Sequence, residues 1–130
     1  MATILVVDDD ANNRLLVRTV LAHAGHRVLE AGDGAPGLAL ASAERPDLIM
    51  LDLSLPSMSG PEFLRALRRD PQTQTLLVAL YTASPVTAAL SEFMKIYAVA
   101  GVIPKPSEPI VLAGAVEQTL EAGKSRHEKK

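Results

Sequence analysis

Asp52 closes an apolar run, Leu48-Ile49-Met50-Leu51, and precedes the Pro- and Gly-punctuated stretch Leu53-Ser54-Leu55-Pro56-Ser57-Met58-Ser59-Gly60. That pattern places one carboxylate at the exit of a buried strand. Upstream, Ile4-Leu5-Val6-Val7 runs into Asp8-Asp9-Asp10. Downstream, Thr82 follows a third apolar run and Lys105-Pro106 a fourth. Four strand exits therefore deliver acid, acid, hydroxyl and amine. In a parallel sheet those exits share one edge, so the four groups can meet. An acidic cluster that holds a hard cation, beside a lysine that holds an anion, is the chemistry of phosphoryl transfer.

Asp8, Asp9 and Asp52 crowd like charges, and a bound Mg²⁺ relieves that conflict. Asp9 and Asp52 are the expected direct ligands, with Asp8 acting mainly through water. Asp10 is expected to point to solvent or cap the next helix. Asp52 can also act as a nucleophile, since a carboxylate attacking phosphorus yields an acyl phosphate. Lys105 would take one phosphoryl oxygen as a compact charge, and the Thr82 hydroxyl would donate to another. Backbone N–H groups after Asp52 would assist. Taken singly, each residue has a plainer reading: Asp52 a turn residue, Thr82 a helix cap, Lys105 a solvated amine. Their joint placement reverses those readings.

The elements that must position these groups alternate strand and helix. Ile4–Val7 reads as a strand apolar on both faces, as a central parallel strand should be. Asn12 or Asn13 is expected to cap the following helix, Gly25 to close it, and Leu16, Val20, Leu21 and Ala24 to form its buried stripe. Arg27–Ala31 reads as a strand nearer an edge, and Gly32-Asp33-Gly34 as a turn. An Ala-rich helix then ends before Pro46. Leu48–Leu53 is the third strand. Pro61 starts a helix with Phe63, Leu64 and Leu67 inward. Leu76–Tyr81 is the fourth strand, and Pro85 is expected to open a helix reaching about Val99. Val102-Ile103 is a short fifth strand. Pro109 opens a last helix with Ile110, Leu112, Ala113, Val116 and Leu120 inward. This alternation predicts an α/β fold, a parallel sheet with helices on both faces. Ligands of such sheets sit beyond the carboxyl ends of the strands, where the four polar groups fall.

Composition narrows the function. A chain of 130 residues suits one domain with its own core. A net charge of −2 gives no footprint for nucleic acid or a membrane surface. The absence of cysteine excludes disulfides, thiol catalysis and Cys-based zinc sites, and is compatible with a cytoplasmic setting. No apolar run approaches the roughly 20 residues of a membrane helix, and no basic leader precedes Val7, so a secretory signal is not expected. With Trp absent, stacking on bases is disfavoured. His23, His26 and His127 show no ligand spacing.

Val6-Val7-Asp8-Asp9, Asp52-Leu53-Ser54-Leu55-Pro56 with Gly60, Thr82-Ala83 and Lys105-Pro106, in this order, resemble the receiver domain of bacterial two-component response regulators. The resemblance runs from about Thr3 to Leu120. It implies the flavodoxin-like receiver fold, a doubly wound five-stranded sheet of order 2-1-3-4-5. It also implies that Asp52 accepts a phosphoryl group from a phosphohistidine on a sensor histidine kinase or histidine phosphotransfer protein. Asp8, Asp9, Asp52 and the Ser54 carbonyl would hold Mg²⁺, and Thr82 and Lys105 would sense the phosphoryl group. A cis bond before Pro106 would fit the family. The chain would be no enzyme beyond its own phosphorylation and autodephosphorylation. Residues 1–122 would form the receiver and 123–130 a polar tail or truncated linker.

Two features depart from the family. Val102 stands where many receivers carry an aromatic residue on the fifth strand, and the stretch between Thr82 and Lys105 is about one residue longer than usual. Ser54 and Ser84, beside the phosphoryl position, are small, which predicts moderate to fast autodephosphorylation. The segment 86–99 carries more apolar surface than one buried stripe needs. With strand 102–103 and helix 109–122 it is the expected face for a downstream protein or a second copy of the chain. No direct contact with nucleic acid or membrane is expected. Two rivals remain: a phosphate-independent pseudo-receiver, which Val102 favours, and a Mg²⁺-dependent phosphatase of the haloacid-dehalogenase type. The Asp8-Asp9-Asp10 spacing meets the phosphatase pattern only superficially, and the chain is short for that fold.

Overall fold

The computed structural model describes residues 1–105 and 107–128. The elements are β1 (Thr3–Val7), α1 (Ala11–His23), β2 (Arg27–Ala31), α2 (Gly34–Glu44), β3 (Leu48–Leu51), α3 (Gly60–Arg69), β4 (Val78–Thr82), α4 (Ala88–Ile96), β5 (Gly101–Pro104) and α5 (Pro109–Glu128). The five strands form one parallel sheet in the order β2-β1-β3-β4-β5. The parallel α/β sheet expected from the alternating pattern is therefore observed, in the doubly wound order that the receiver resemblance implies.

Successive strand residues face opposite sides of a sheet, and two cores follow from that period. Leu5, Val7, Ile49, Leu51, Val78 and Leu80 pack with Ala41 of α2 and Phe63, Leu64 and Leu67 of α3, and α4 leans on the same core. Ile4, Val6, Leu48, Met50, Ala79, Tyr81 and Ile103 pack with Val17 and Leu21 of α1 and Leu112, Val116 and Leu120 of α5. Burying both faces explains why these strands read as unbroken apolar runs. Gly37 permits the close seating of α2, since a Cβ there would lie 3.0 Å from Val7 Cγ2. The two sheet edges differ in kind. β2 carries Arg27 and Glu30, both ion-paired, and β5 ends on Pro104.

Several boundaries differ from expectation for local reasons. Of the capping candidates it is Asp10, already read as a possible cap, that caps α1, and not Asn12 or Asn13; its carboxylate accepts from both of their N–H groups, at 2.8 and 3.3 Å. The buried residues of α1 are Val17 and Leu21, whereas Leu16 and Ala24 are exposed, because the cap at Asp10 sets which face meets the sheet. β3 stops at Leu51 because Asp52 folds back and accepts from Ser54 N–H at 3.1 Å. β4 starts at Val78, as Leu76 N–H is engaged in a turn with Thr73 O. α4 starts at Ala88 rather than Pro85, because the Thr87 hydroxyl accepts from Leu90 N–H and fixes the cap there. It ends at Ile96, and Ala98 turns the chain at a φ of 54°. Ile110 is 80% exposed, not inward, since Leu112, Val116 and Leu120 take the buried stripe of α5. α5 runs on past Gly123 as far as Glu128. Gly123 itself is buried, and a Cβ there would lie 2.7 Å from Leu77 Cδ2. The peptide before Pro106 lies outside the described residues. Among the described residues, no helix is long and apolar enough to cross a membrane.

Candidate phosphoryl-transfer site

Strand register assembles the site. β1 and β3 pair as Val7↔Leu51, so the residues that follow, Asp8 and Asp52, emerge side by side. Asp52 N–H donates to Val7 O at 2.9 Å, and Asp8 N–H donates to Ala31 O at 3.0 Å, which holds both exits to the sheet. β4 and β5 pair as Thr82↔Pro104, and Lys105 N–H donates to Thr82 O at 3.0 Å. The β1/β3 junction is also where the chain reverses its winding direction, the crevice that α/β sheets use for ligands.

Asp8, Asp9 and Asp52 each offer a carboxylate oxygen within 4.8 Å of one another. Asp8 and Asp52 are buried, and Asp9 is exposed. Lys105 Nζ lies 2.6 Å from Asp8 Oδ2 and donates to Asp52 Oδ2 at 3.1 Å. The buried Asp8 Oδ2 is thus held by the Lys105 ammonium. Asp8 Oδ1 instead accepts from Asp10 N–H at 2.9 Å. Thr82 is buried at the end of β4, its hydroxyl accepting from Ser84 N–H at 3.1 Å. Ser54 is exposed and meets Asp52 through its backbone N–H. Asp10 is absorbed by the α1 cap and takes no place in the cluster.

Two contributors escaped the sequence reading. Arg14 Nη1 donates to the Asp8 carbonyl at 2.7 Å while its Nε meets Glu30 at 3.2 Å, so it braces the turn that presents the acids. Its position one turn into α1 was the available signal. Tyr81, buried on the opposite core, lies under Lys105, with Nζ 5.1 Å from the ring centroid. Its aromatic face steers the ammonium toward the acids. Val102 is half-buried against the α2/α3 core.

Burial alone would push the Lys105 ammonium down, but the carboxylates of Asp8 and Asp52 outweigh it and hold its pKa above the ordinary value. Burial pushes the Tyr81 phenol up, an effect that Lys105 opposes and Asp8 reinforces. Both shifts have the same linkage sign. The unfolded chain loses these protons first as pH rises, so the native state holds more of them. The stability they contribute is whole at neutral pH. It falls as pH climbs past the ordinary tyrosine and lysine values, about 10 to 10.5. Urea melts between neutral pH and pH 11 should show that decline. Lys105→Met should flatten its lysine part, and an unchanged slope in the variant would contradict the assignment.

A doubly wound parallel sheet with three carboxylates and a lysine at its switch point defines the class: a receiver-type signalling domain. The chain belongs to the response regulator receiver domain family, whose sequence model matches residues 4–117. It is 37% identical over 82 residues to the protein PilH of Pseudomonas aeruginosa, covering 63% of this chain and 68% of that one. It is also 41% identical over 85 residues to the sensor histidine kinase AruS of the same organism, covering 65% of this chain but 8% of the kinase. The solved chemotaxis protein CheY4 of Vibrio cholerae superposes with a TM-score of 0.85 at 31% identity, covering 92% of this chain and 98% of that one. Against its transcriptional-regulator relatives the chain spans about a third of their length, 34% and 35%.

Receiver domains use Mg²⁺ at an acidic pocket. The donor set here fits such an ion: three carboxylates converge, more negative charge than the Lys105 ammonium beside them offsets. Hard oxygen ligands of this kind suit Mg²⁺.

Proposed function

We propose that the chain is a phosphorylation-switched receiver whose acceptor is Asp52. The supporting observation is the register-locked meeting of Asp52 with Asp8, Asp9 and Lys105 at the switch-point edge. An Asp52 carboxylate oxygen forms the new O–P bond. The P–N bond of a phosphohistidine breaks, and the departing imidazole keeps the bonding pair and takes up a proton. Asp8, Asp9, Asp52 and the Ser54 carbonyl would hold Mg²⁺, which supplies charge neutralisation on the phosphoryl oxygens. Lys105 is displaced from Asp52 Oδ2 toward a phosphoryl oxygen, and the Thr82 hydroxyl turns from Ser84 to a second one. Small side chains at Ser54 and Ser84 leave water a path for hydrolysis.

The donor in this reading is a sensor histidine kinase or a histidine phosphotransfer protein in the cytoplasm. The output is a downstream protein that docks on the face formed by residues 86–99, 102–103 and 109–122. Exposed Val86, Ile96, Ile110 and Val111 support that face. A second copy of the chain is the alternative occupant. Residues 1–122 form the receiver unit, with 123–130 as a polar tail or truncated linker.

Incubation with acetyl phosphate and Mg²⁺, read by intact mass, should add one labile phosphoryl group to the wild type and none to Asp52→Asn. Failure of both this reaction and beryllofluoride binding would favour the phosphate-independent interaction module. Turnover of phosphate monoesters would favour a phosphatase.

A further inference from the structure

α4 is held very unevenly. From Ala83 to Ala89 every residue is exposed, and no side chain of α4 is fully buried. At the first turn the Thr87 hydroxyl caps Leu90 N–H, Ser91 N–H donates to Thr87 O at 2.9 Å, and Leu90 is the first half-buried side chain. The other end is pinned. Arg68, in the last turn of α3, sends its guanidinium into the bend after α4. Its Nε donates to Tyr97 O at 2.9 Å and its Nη2 to Ala98 O at 3.3 Å. Its Nη1 donates to Gln74 O at 3.0 Å and Leu76 O at 2.7 Å, in the stretch leading into β4. One planar fork thus ties three chain segments together through carbonyls that the helix and turn leave unsatisfied.

Neighbouring contacts reinforce the same end. A hydrogen bond to the Tyr97 side chain holds the Arg65 guanidinium above its ordinary pKa. Tyr97 also packs on Phe93, with ring centroids 5.0 Å apart. Ala98 adopts a positive φ, and Ala100 N–H donates to Val78 O at 2.7 Å, entering β5. A cation at a helix C-terminus further complements the helix dipole.

We propose that Arg68 is a pivot clamp: α4 is a lever fixed at Tyr97–Ala98 and free at Thr87–Ala89, the end that follows Thr82 and Ser84. Any displacement of Thr82 or Ser84 then swings the free end while the clamped end stays in place. This gives the domain a conformational readout that needs no aromatic ring at position 102. The connection to Asp52 rests on the phosphoryl-acceptor reading, whereas the lever itself does not.

Amide hydrogen exchange on the full chain, without phosphate, tests the lever directly. In the wild type, Leu90–Glu92 should exchange roughly tenfold or more faster than Tyr97–Val99, the factor set by about one charge-assisted hydrogen bond. Arg68→Lys keeps the charge but cannot span four carbonyls, and it should bring Tyr97–Val99 up to the rate of the free end. Arg68→Ala should do the same; if it does not fold, the lysine variant decides. A wild type with no gap, or a gap that survives Arg68→Lys, overturns the proposal. Beryllofluoride with Mg²⁺ should then shift wild-type amide resonances most over Ala83–Leu90 and least at Tyr97–Val99. Equal shifts at both ends would also overturn the lever. Absence of any phosphoryl adduct on Asp52 would instead remove the acceptor reading, and the exchange gap would still judge the clamp.

Discussion

Lys105→Met should cost the cation-free protein about 3 kcal/mol of folding stability, the scale for stripping one partner from a largely buried ion pair. The Lys105 side chain is 13% exposed, and its ammonium is the counterion for Asp8 at 2.6 Å and Asp52 at 3.1 Å. Removing it leaves the carboxylates of Asp8, Asp9 and Asp52 facing one another. The same change should tighten Mg²⁺ binding about tenfold or more, because a competing cation worth at least ~1.4 kcal/mol is gone. Added Mg²⁺ should therefore return more stability to the variant than to the wild type. Urea denaturation in chelator and in Mg²⁺, with calorimetric titration of the ion, measures both effects. A variant as stable as the wild type in chelator would show that Lys105 does not hold the acids together.

Gly60→Ala should be the most damaging small substitution near the site. A Cβ at Gly60 would lie 2.9 Å from Leu53 Cα and 2.8 Å from Leu53 Cδ2. The side chain could give way, but the backbone of Leu53 cannot without moving its neighbour, Asp52. Gly60 N–H also donates to Leu53 O at 3.1 Å, closing the loop on itself. Overpacking of this kind costs about 1–3 kcal/mol. A displaced acceptor should also slow acetyl phosphate uptake by about tenfold or more, since such reactions depend on sub-ångström placement. Gly114→Ala is the control. Nothing lies within 4 Å of its Cβ position, so it should stabilise α5 by about 0.5–1 kcal/mol. Gly60→Ala with wild-type uptake would mean that the loop and Asp52 move independently.

The site was legible because its chemistry sits at strand exits, and strand exits are marked by composition. Apolar runs buried on both faces end where the first polar residue appears, so Asp8, Asp52, Thr82 and Lys105 could be placed without knowing any register. What stayed hidden depends on three-dimensional competition. Asp10, Asn12 and Asn13 could each be read as the cap of α1, and only the extended backbone of Asp10 decides among them. Thr87 likewise outcompetes Pro85 at α4, leaving five residues of exposed loop between β4 and the helix. Ile110 lies outside the stripe because the burial phase of α5 is set by Leu112 and Val116 meeting the other core. Arg14 and Arg68 act on backbone carbonyls distant in sequence, and periodicity carries no signal for such partners.

The unlike edges of the sheet bear on how this protein fails as well as on how it works. A parallel sheet offers unpaired backbone groups along both outer strands, a template for another chain to add on. Here β2 presents ion-paired Arg27 and Glu30, costly to bury against a stranger. β5 is four residues long and ends in Pro104, which has no N–H to donate. Accretion of strand upon strand is therefore blocked at either side. Replacing Pro104 with a β-branched residue would lengthen the unguarded margin, and such a variant should aggregate sooner on heating at unchanged native stability.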